Sequence, residues 1–356
     1  MGKNADSNPS NDEAKIKWSS GLRADFGRGK IASYFNEKIR PSLYRPYSKQ
    51  WLYFDSMFNE RMGKIPYIYP SVEVENLAIY VSGKGEKIEF SALMIDSTPN
   101  LHMISSGQCF PLKLYEMKES SEQIAREPGL FDDANENEES KYEVRDGITD
   151  AGLKHFQDAY PDEKISKEDL FYYVYGLLHS DDYKSRYADN LTKELPRIPR
   201  VTKAADFWAF SKAGRALADL HIGYEDVKPY PVQIDGGTLL LSSFTPQDFR
   251  VVQMKFAKGK NGERHDKTRV IFNHKITMSG IPLEAYEYVV NGKPALEWVM
   301  ERQAVSEHKD SGIVNDANLW ATETMKDASY PLKLFQRVIT VSLETMKIVN
   351  SLPKIN

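Results

Sequence analysis

The stretch that most constrains the fold lies at residues 330–352, where apolar side chains fall on nearly every face of a predicted helix. Its apolar residues are Leu332, Leu334, Phe335, Val338, Ile339, Val341, Leu343, Met346 and Val349. A helix at a protein surface keeps a polar face, so this pattern requires burial on several sides. The chain must therefore supply enough other structure to enclose a helix of about six turns.

The rest of the chain is long enough to do so. Its 356 residues predict one large domain or a few ordinary ones, because single cores stop growing at about 250–300 residues. The net charge of −4 is not that of a small basic DNA-binding module, so any contact with nucleic acid must come from a local basic patch. The single cysteine, Cys109, excludes an internal disulfide and favours a reducing, cytoplasmic setting.

Three regions follow from the patterning along the chain. Residues 1–27 are polar and predict a disordered lead-in. Residues 28–150 predict a β-rich part that ends in an acidic loop at 116–150, and residues 151–356 predict a helical part, a basic β-hairpin and C-terminal helices. We expect an α+β protein with segregated β-rich and α-helical segments.

Local signals place most of the elements. Residues 77–95 predict a hairpin, two short strands are expected around residues 105–107, and strands are expected at 250–257 and 267–279. Ser166 and Asp169 form a predicted capping box before a helix. A second helix is expected to end near Leu195, before Pro196, and a third to run over 203–220 with Gly223 as its C-cap.

Catalytic signatures are missing from the sequence. SGKGEK at residues 82–87 lacks the spacing of a phosphate-binding loop, and the signature of amino-group methyltransferases is absent. The seven histidines are scattered without the spacing of metal ligands, and Cys109 has no identifiable catalytic partner. We therefore expect no catalytic residue, no metal site and no cofactor in this chain.

Basic clusters are the better signal. Residues 251–275 carry seven cations against two acids, and the cations lie on both sides of a predicted turn at Asn261–Gly262. Such a hairpin fits a DNA groove or a phosphate backbone, although a solvated charged turn has the same composition. Residues 183–200 are a second basic segment. Its cations are accompanied by Asp189 and Glu194.

The stretch YRPYSKQWLYFD at residues 44–55 mixes five aromatic residues with Arg45 and Lys49. Its rings suit either a stacking surface or a core strand, and the residue types favour the core. We interpret Trp51, Tyr53 and Phe54 mainly as packing residues, with Arg45 and Lys49 as candidate phosphate contacts.

Several segments together resemble one known family, the C-terminal specificity region of type ISP restriction–modification enzymes. The resemblance is collinear from about residue 28 to 354. It is carried by YRPYSKQWLYFD, VSGKGEKIEFSALM, GQCFPL, FYYVYGLLHSDDYKSRYADNLTKELPRIP, FWAFSKAGRALADLHIGYE, ITMSGIPLEAYEYVVNGKPALEWVMER, DSGIVNDANLW and RVITVSLETMKIVNSLP. The aromatic-rich block at 171–225 is the most specific of these.

In that family one polypeptide joins a nuclease, a helicase-like translocase, a coupler, an adenine methyltransferase and a target-recognition domain. The resemblance implies that this chain is the last of these, that it binds double-stranded DNA beside a methyltransferase domain, and that S-adenosylmethionine, ATP and Mg²⁺ belong to the full enzyme only. Local charge then selects the candidate DNA contacts, which are Arg45, Lys49, Lys184, Arg186, Lys193, Arg197, Arg200, Lys258, Lys260, Arg264, Lys267, Arg269 and Lys275.

Two other functions stay open on the sequence. The chain would be an enzyme if it were a stand-alone methyltransferase or nuclease with degenerate motifs. It would be a scaffold if it bound other protein domains without touching DNA.

Overall fold

The structure is a computed structural model that describes residues 18–83, 85, 88–118, 141–235, 237, 241–259, 262–309 and 312–356. Within these residues the helices are α1 (Ser20–Gly27), α2 (Ile65–Ile68), α3 (Asp150–Gln157), α4 (Lys167–His179), α5 (Asp181–Arg186), α6 (Ala188–Leu191), α7 (Ala204–Ile222), α8 (Ala295–Arg302), α9 (Ala317–Leu319) and α10 (Tyr330–Asn350). Short 3₁₀ turns lie at Asn36–Lys38, Pro246–Phe249 and Leu283–Tyr286, and a π-helical turn at Trp320–Thr324 follows α9.

The strands of the described residues are β1 (Ile39–Arg45), β2 (Ser48–Tyr53), β3 (Ala78–Val81), β4 (Ala92–Ile95), β5 (Thr98–Pro99), β6 (Gln108–Pro111), β7 (Lys113–Met117), β8 (Tyr142–Asp146), β9 (Gln233–Ile234), β10 (Lys255–Lys258), β11 (His265–Ile271), β12 (Thr277–Ser279), β13 (Val289–Val290), β14 (Lys293–Pro294), β15 (Val305–Glu307) and β16 (Val314–Asp316). They form separate small sheets in the orders β2-β1-β5, β4-β3-β6, β7-β8, β10-β11-β12-β9, β13-β14 and β15-β16. The α+β prediction is confirmed.

The sheet β4-β3-β6 lies between two hydrophobic cores. Side chains alternate along a strand, so Ala78 and Tyr80 of β3 enter one core while Ile79 and Val81 enter the other. The first core joins this sheet to the β10-β11-β12-β9 sheet, α8 and α10, and the second joins it to α3, α4 and α7. Burial on both faces explains why β3 and β4 are apolar without a polar face.

Helices α4 and α7, with the short α5 and α6 between them, form what we call the helical block. The two long helices cross closely because two glycines meet there: a Cβ on Gly176 would overlap the carbonyl oxygen of Phe210, and one on Gly214 would overlap that of Tyr172. The predicted capping box is confirmed, since the Ser166 hydroxyl accepts from the Asp169 N–H at 3.1 Å. Helix α10 is buried on several faces, as its sequence requires.

Five local predictions need correction. The segment 1–27 was expected to be disordered, but Ser20–Gly27 is helical because the Ser19 hydroxyl accepts from the Leu22 N–H and caps the first turn. Residues 1–17 lie outside the described residues. The helix expected to reach Leu195 breaks near Tyr187, whose φ of −111° and ψ of 19° are not helical, and it ends at Leu191.

The sequence predicted one strand on each side of residues 105–107. Both strands instead lie after these residues, as β6 and β7. Residues 101–106 form turns in which the side chains of Met103 and Ile104 are buried. The strand expected over 267–279 is divided by a bend at 273–275 into β11 and β12. The strand expected over 250–257 begins only at Lys255. At Val251 the backbone bonds to the Asn318 side chain instead of a neighbouring strand. Asn318 Oδ1 accepts from the Val251 N–H at 3.0 Å, and Asn318 Nδ2 donates to the Val251 carbonyl at 2.7 Å.

The predicted hairpin at 77–95 is confirmed as β3 paired antiparallel with β4, and the third helix is confirmed as α7 with Gly223 at its C-cap. The acidic loop is described only at its edges, where β7 and β8 pair. Residues 119–140 lie outside the described residues. The division at residue 150 stays a prediction, because both cores draw residues from either side of it.

Candidate nucleic-acid interface

The basic hairpin consists of β10, β11 and the turn between them, residues 255–271. The strands pair antiparallel at both ends, with an irregularity after Phe256 that leaves part of β11 outside the ladder with β10. Val270 is buried in the first core, and Phe256, its partner across the ladder, packs against the same core, so this face of the hairpin is fixed. Alternation along the strands therefore sends neighbouring polar side chains to solvent.

Two cations near the tip of the basic hairpin are exposed. Lys258 ends β10, and Arg264 precedes β11, with the backbone N–H of Gly259 donating to its carbonyl at 3.5 Å. Across the described ranges, no acidic side chain forms an ion pair with Lys258 or Arg264. Lys260 and Asn261 lie outside the described residues, so the candidate Lys260 has no observed position. The described part of the tip thus presents two cations that no ion pair within the described residues neutralises.

The other three candidates of the hairpin region are ion-paired. Lys267 Nζ lies 3.0 Å from Glu297 Oε1, and Arg269 Nη2 lies 3.0 Å from Asp235 Oδ2. These pairs are partly exposed, and such pairs stabilise a fold only weakly, so a phosphate competes readily for either cation.

The third paired candidate is Lys275. It is paired with Asp248, whose pKa is lowered to about 2, first by the hydrogen bond from Lys275 and then by bonds from Thr245.

The segment 183–200 begins within the helical block, and tyrosine hydroxyls of the block bind the backbone of its C-terminal part. Tyr183 donates to the carbonyl of Arg197 at 2.8 Å, and Tyr173 donates to that of Pro199 at 2.7 Å. These bonds fix the backbone of the proline-containing run and leave the Arg197 side chain 84% exposed. The segment belongs to the second core, whereas the basic hairpin belongs to the first.

Most candidates of this segment have nearby acceptors. The pairs are Lys184 with Asp181 at 3.5 Å, Arg186 with Asp182 at 3.5 Å, Arg197 with Glu194 at 2.9 Å, and Arg200 with the carbonyl of His155 at 3.1 Å. Lys193 is exposed, and no ion pair of it occurs among the described residues. The segment therefore offers less uncommitted charge than its composition indicates.

Arg45 and Lys49 lie on the β1–β2 hairpin and are both engaged. Arg45 Nη1 donates to the Tyr44 carbonyl at 2.7 Å and to Asn100 Oδ1 at 3.2 Å, and burial lowers the pKa of its guanidinium. Lys49 Nζ lies 2.5 Å from Glu225 Oε2. Neither side chain is presented freely to a phosphate in this structure.

The packing interpretation fits Tyr53 of β2 and Phe54, which follows that strand. For Trp51, which neither core of the described residues covers, it stays a prediction. Tyr53 stacks on Tyr34 at 5.6 Å, and Phe54 lies under the Arg40 guanidinium at 4.4 Å. Trp51 is 56% exposed, because β2 is an edge strand and this face is not covered by a core. Trp320 and Gln303 line the same cleft as Trp51. They were not predicted as site residues, because no pattern in the sequence indicates that segments so far apart along the chain come together.

Cys109, the single cysteine, lies in an environment that disfavours catalysis. Burial raises the pKa of the Cys109 thiol to about 12, which disfavours the reactive thiolate. The described part of the chain contains no cluster of three or more potential metal ligands, and none of its helices is long and apolar enough to span a membrane.

Comparisons with known proteins agree with one another. A family model described as the Type ISP C-terminal specificity domain matches residues 3–334. Three solved structures are similar over almost the whole chain. They are the ATP-dependent Type ISP restriction–modification enzyme LlaBIII bound to DNA (30% identity, TM-score 0.80), a nuclease-deletion mutant of the Type ISP enzyme LlaGI with a DNA substrate mimic (31%, 0.76), and the DrdV–DNA complex (30%, 0.77).

These similarities cover 96%, 98% and 98% of this chain, but only 20%, 23% and 31% of the respective structures. The chain thus spans less than a third of the length of each protein. A search among curated proteins finds no match.

Proposed function

The chain belongs to the family of Type ISP C-terminal specificity domains, and from that premise we propose that it recognises a specific sequence in double-stranded DNA. The similar structures are complexes with DNA or a DNA mimic, which supports the proposal for this chain. The observation in this chain that carries it is the pair Lys258 and Arg264, whose charges lie at the tip of the basic hairpin without an acidic partner in the described residues.

A two-stranded ribbon fits the major groove, where the edges of the base pairs present distinct donor and acceptor patterns. In the proposed complex, lysines such as Lys258 fix the register on phosphates, since an ammonium acts as a point charge. Arg264 and, after release from Asp235, Arg269 carry planar guanidinium groups that suit bidentate bonds to guanine. The candidates of segment 183–200 and the pair Arg45 and Lys49 stay predictions for further backbone contacts.

Specificity domains of this family are parts of larger enzymes, and the similar structures are much longer than this chain. We propose that methyl transfer, ATP hydrolysis and DNA cleavage belong to other parts of such an enzyme, together with S-adenosylmethionine, ATP and Mg²⁺. The chain would then hold the duplex beside a methyltransferase domain, in the cytoplasm.

Duplex binding as a function of salt tests the proposal. Neutralising n phosphates releases counterions, so a plot of log affinity against log salt concentration should have a slope of about −0.9n. Lys258→Ala should make the slope less negative by about 0.9 if Lys258 contacts a phosphate. Absence of duplex affinity even at low salt would contradict the proposal and favour a scaffold, and methyl transfer by the isolated chain would favour an enzyme.

A further inference from the structure

A cleft of about 720 Å³ lies apart from the basic hairpin. One wall is strand β2 with Trp51, and the opposite wall is formed by the β15–β16 hairpin and the π-helical turn that contains Trp320. Gln303, at the C-terminal end of α8, lines the same cleft. The three side chains come from distant parts of the sequence and are brought together only by the fold.

Trp51 forms a fixed aromatic platform at this cleft. Its indole Nε1 donates to Thr324 Oγ1 at 3.2 Å, and its ring centroid lies 5.6 Å from that of Trp320 at an angle of 45°. These contacts hold the edge of the ring, while 56% of the residue stays exposed. An anchored and exposed indole is a good surface for stacking a planar ring, because little side-chain freedom is lost on binding.

Gln303 adds an unused hydrogen-bond acceptor. The residue is only 5% exposed, and its backbone N–H is satisfied by the Val299 carbonyl at 2.8 Å. Its side-chain oxygen is buried and has no donor among the described residues. A buried acceptor without a donor destabilises a fold, and apolar residues of similar size would avoid this cost. The acceptor is therefore best explained by a ligand that donates to it.

The charges of the cleft indicate which part of a nucleotide fits. The ionisable residues of its lining are Lys49, Glu301, Arg302, Asp316 and Glu323. Lys49 is paired with Glu225, Asp316 with Arg250, and Glu301 with both Arg302 and Lys293. Both lining cations are therefore engaged by acids, while Glu323 makes no ion pair among the described residues. Such a lining offers no unpaired cation to a phosphate but suits a neutral ring whose amino group donates hydrogen bonds.

We propose that this cleft binds a single unstacked nucleobase that carries an exocyclic amino group. The base stacks on Trp51, and its amino group donates to Gln303 Oε1. We take the nucleobase to be an extrahelical base of a bound duplex, and in this respect the inference rests on the proposed function. A free nucleoside would present the same base to the cleft, and the experiment below distinguishes the two.

The experiment compares three duplexes by fluorescence anisotropy with the 356-residue chain: one fully paired, one with a single bulged adenine and one with a bulged thymine. We expect the bulged adenine to bind about tenfold more tightly than the paired duplex, given the usual strength of base–aromatic stacking. Trp51→Ala should remove this gain and Trp51→Phe should retain most of it. Gln303→Met should abolish the preference for adenine over thymine.

Two controls separate binding from folding. Phe110→Ala removes another exposed aromatic, on β6 and outside the cleft lining, and should preserve the gain. Gln303→Met should unfold at the same temperature as the parent chain or higher, because the buried acceptor disappears. Equal affinity for all three duplexes, or a gain that persists in Trp51→Ala, would overturn the inference while the proposed function stands.

A different pattern would overturn the proposed function alone. If no duplex binds, quenching of tryptophan fluorescence by adenosine decides the inference about the cleft. Quenching that disappears in Trp51→Ala supports the cleft as a site for a free nucleoside. Absence of quenching overturns the cleft as well.

Discussion

The helical block and the basic hairpin differ in what their polar side chains do. In the block, tyrosine hydroxyls bind backbone carbonyls, and a buried network joins α4, α7 and α10: His221 Nδ1 lies 2.6 Å from the Tyr175 hydroxyl, and its Nε2 lies 2.9 Å from Thr345 Oγ1. At the tip of the basic hairpin, Lys258 and Arg264 make no ion pair within the described residues. Polar groups of the block stabilise the fold, whereas the two cations at the hairpin tip are available to a partner.

Substitutions in the two regions should therefore affect different quantities, the free energy of unfolding in one case and duplex affinity in the other. Changes in the buried packing of the block should alter the free energy of unfolding and leave duplex affinity of the folded protein unchanged. Changes at the hairpin tip should do the opposite.

The largest effect is expected where α4 and α7 cross. Gly214→Val places side-chain atoms where the Tyr172 carbonyl lies, so the helices must separate and the free energy of unfolding should fall by about 3 kcal/mol or more. Urea unfolding measures this loss. Gly27→Ala is the matched control, since a Cβ there meets no atom within 4 Å, and its effect should stay within about 1 kcal/mol. Equal effects of the two changes would contradict the close crossing.

The next effect is expected at the hairpin tip. Arg264→Ala should weaken duplex binding by about 1–3 kcal/mol if its guanidinium contacts a base edge, without changing the midpoint of urea unfolding. Arg197→Ala should have a smaller effect on binding, because Glu194 already engages that guanidinium at 2.9 Å. Titrations of a labelled duplex measure both. A larger loss for Arg197→Ala would reverse the ranking of the two basic segments.

Acid should weaken the helical block in a defined pH window. Burial and the nearby Lys184 lower the pKa of His179 to about 4, and burial and His179 lower that of His221 well below its usual value. The unfolded chain therefore binds protons first as the pH falls below about 6.5. The free energy of unfolding should be at its full value above that pH and fall by about 1–3 kcal/mol towards pH 5.

Urea unfolding at pH 7.5 and 5.0 measures this change. His179→Gln removes one of the two titrating groups. The free energies of unfolding at the two pH values should then differ by less than in the parent chain, whatever the effect of the substitution on absolute stability. Equal stability of the parent chain at both pH values would show that these histidines are not buried in their neutral form.

The smallest effect concerns the partly exposed ion pair beside the hairpin. Asp235→Ala releases Arg269 and should strengthen duplex binding a few-fold, since such a pair is worth about 0.2–1 kcal/mol. Glu344→Ala, which releases Lys347 on α10, is the matched control and should leave affinity nearly unchanged, because Lys347 is not a candidate DNA contact. Weaker binding after Asp235→Ala would mean that the ion pair itself positions the interface.

The sequence predicted those parts of the fold that depend on neighbours along the chain. The Ser166 capping box, the hairpin of β3 and β4, and the buried helix α10 are encoded by local spacing and were predicted correctly. Long-range contacts were not predictable in this way. Asn318 takes the place of a strand partner at Val251, and no spacing pattern near residue 251 indicates it.

The candidate interface shows the same limit. Charge along the sequence identified both basic segments, but it did not distinguish a cation that is exposed from one that is already paired. Lys275 and Lys258 look alike in the sequence, yet the first is held by Asp248 and the second ends β10 in solvent. The acids that pair with Lys267 and Arg269, Glu297 and Asp235, lie about thirty residues away and approach only after folding.

Selection of bound duplexes from a random pool tests the central claim most directly. The isolated chain should enrich one defined sequence, and Arg264→Ala or Arg269→Ala should relax the preference at individual positions if these residues read base edges. Uniform weakening would assign the changed residue to a phosphate. Recovery of an unenriched pool by the parent chain, at a salt concentration where it binds duplex DNA, would contradict sequence recognition by this domain.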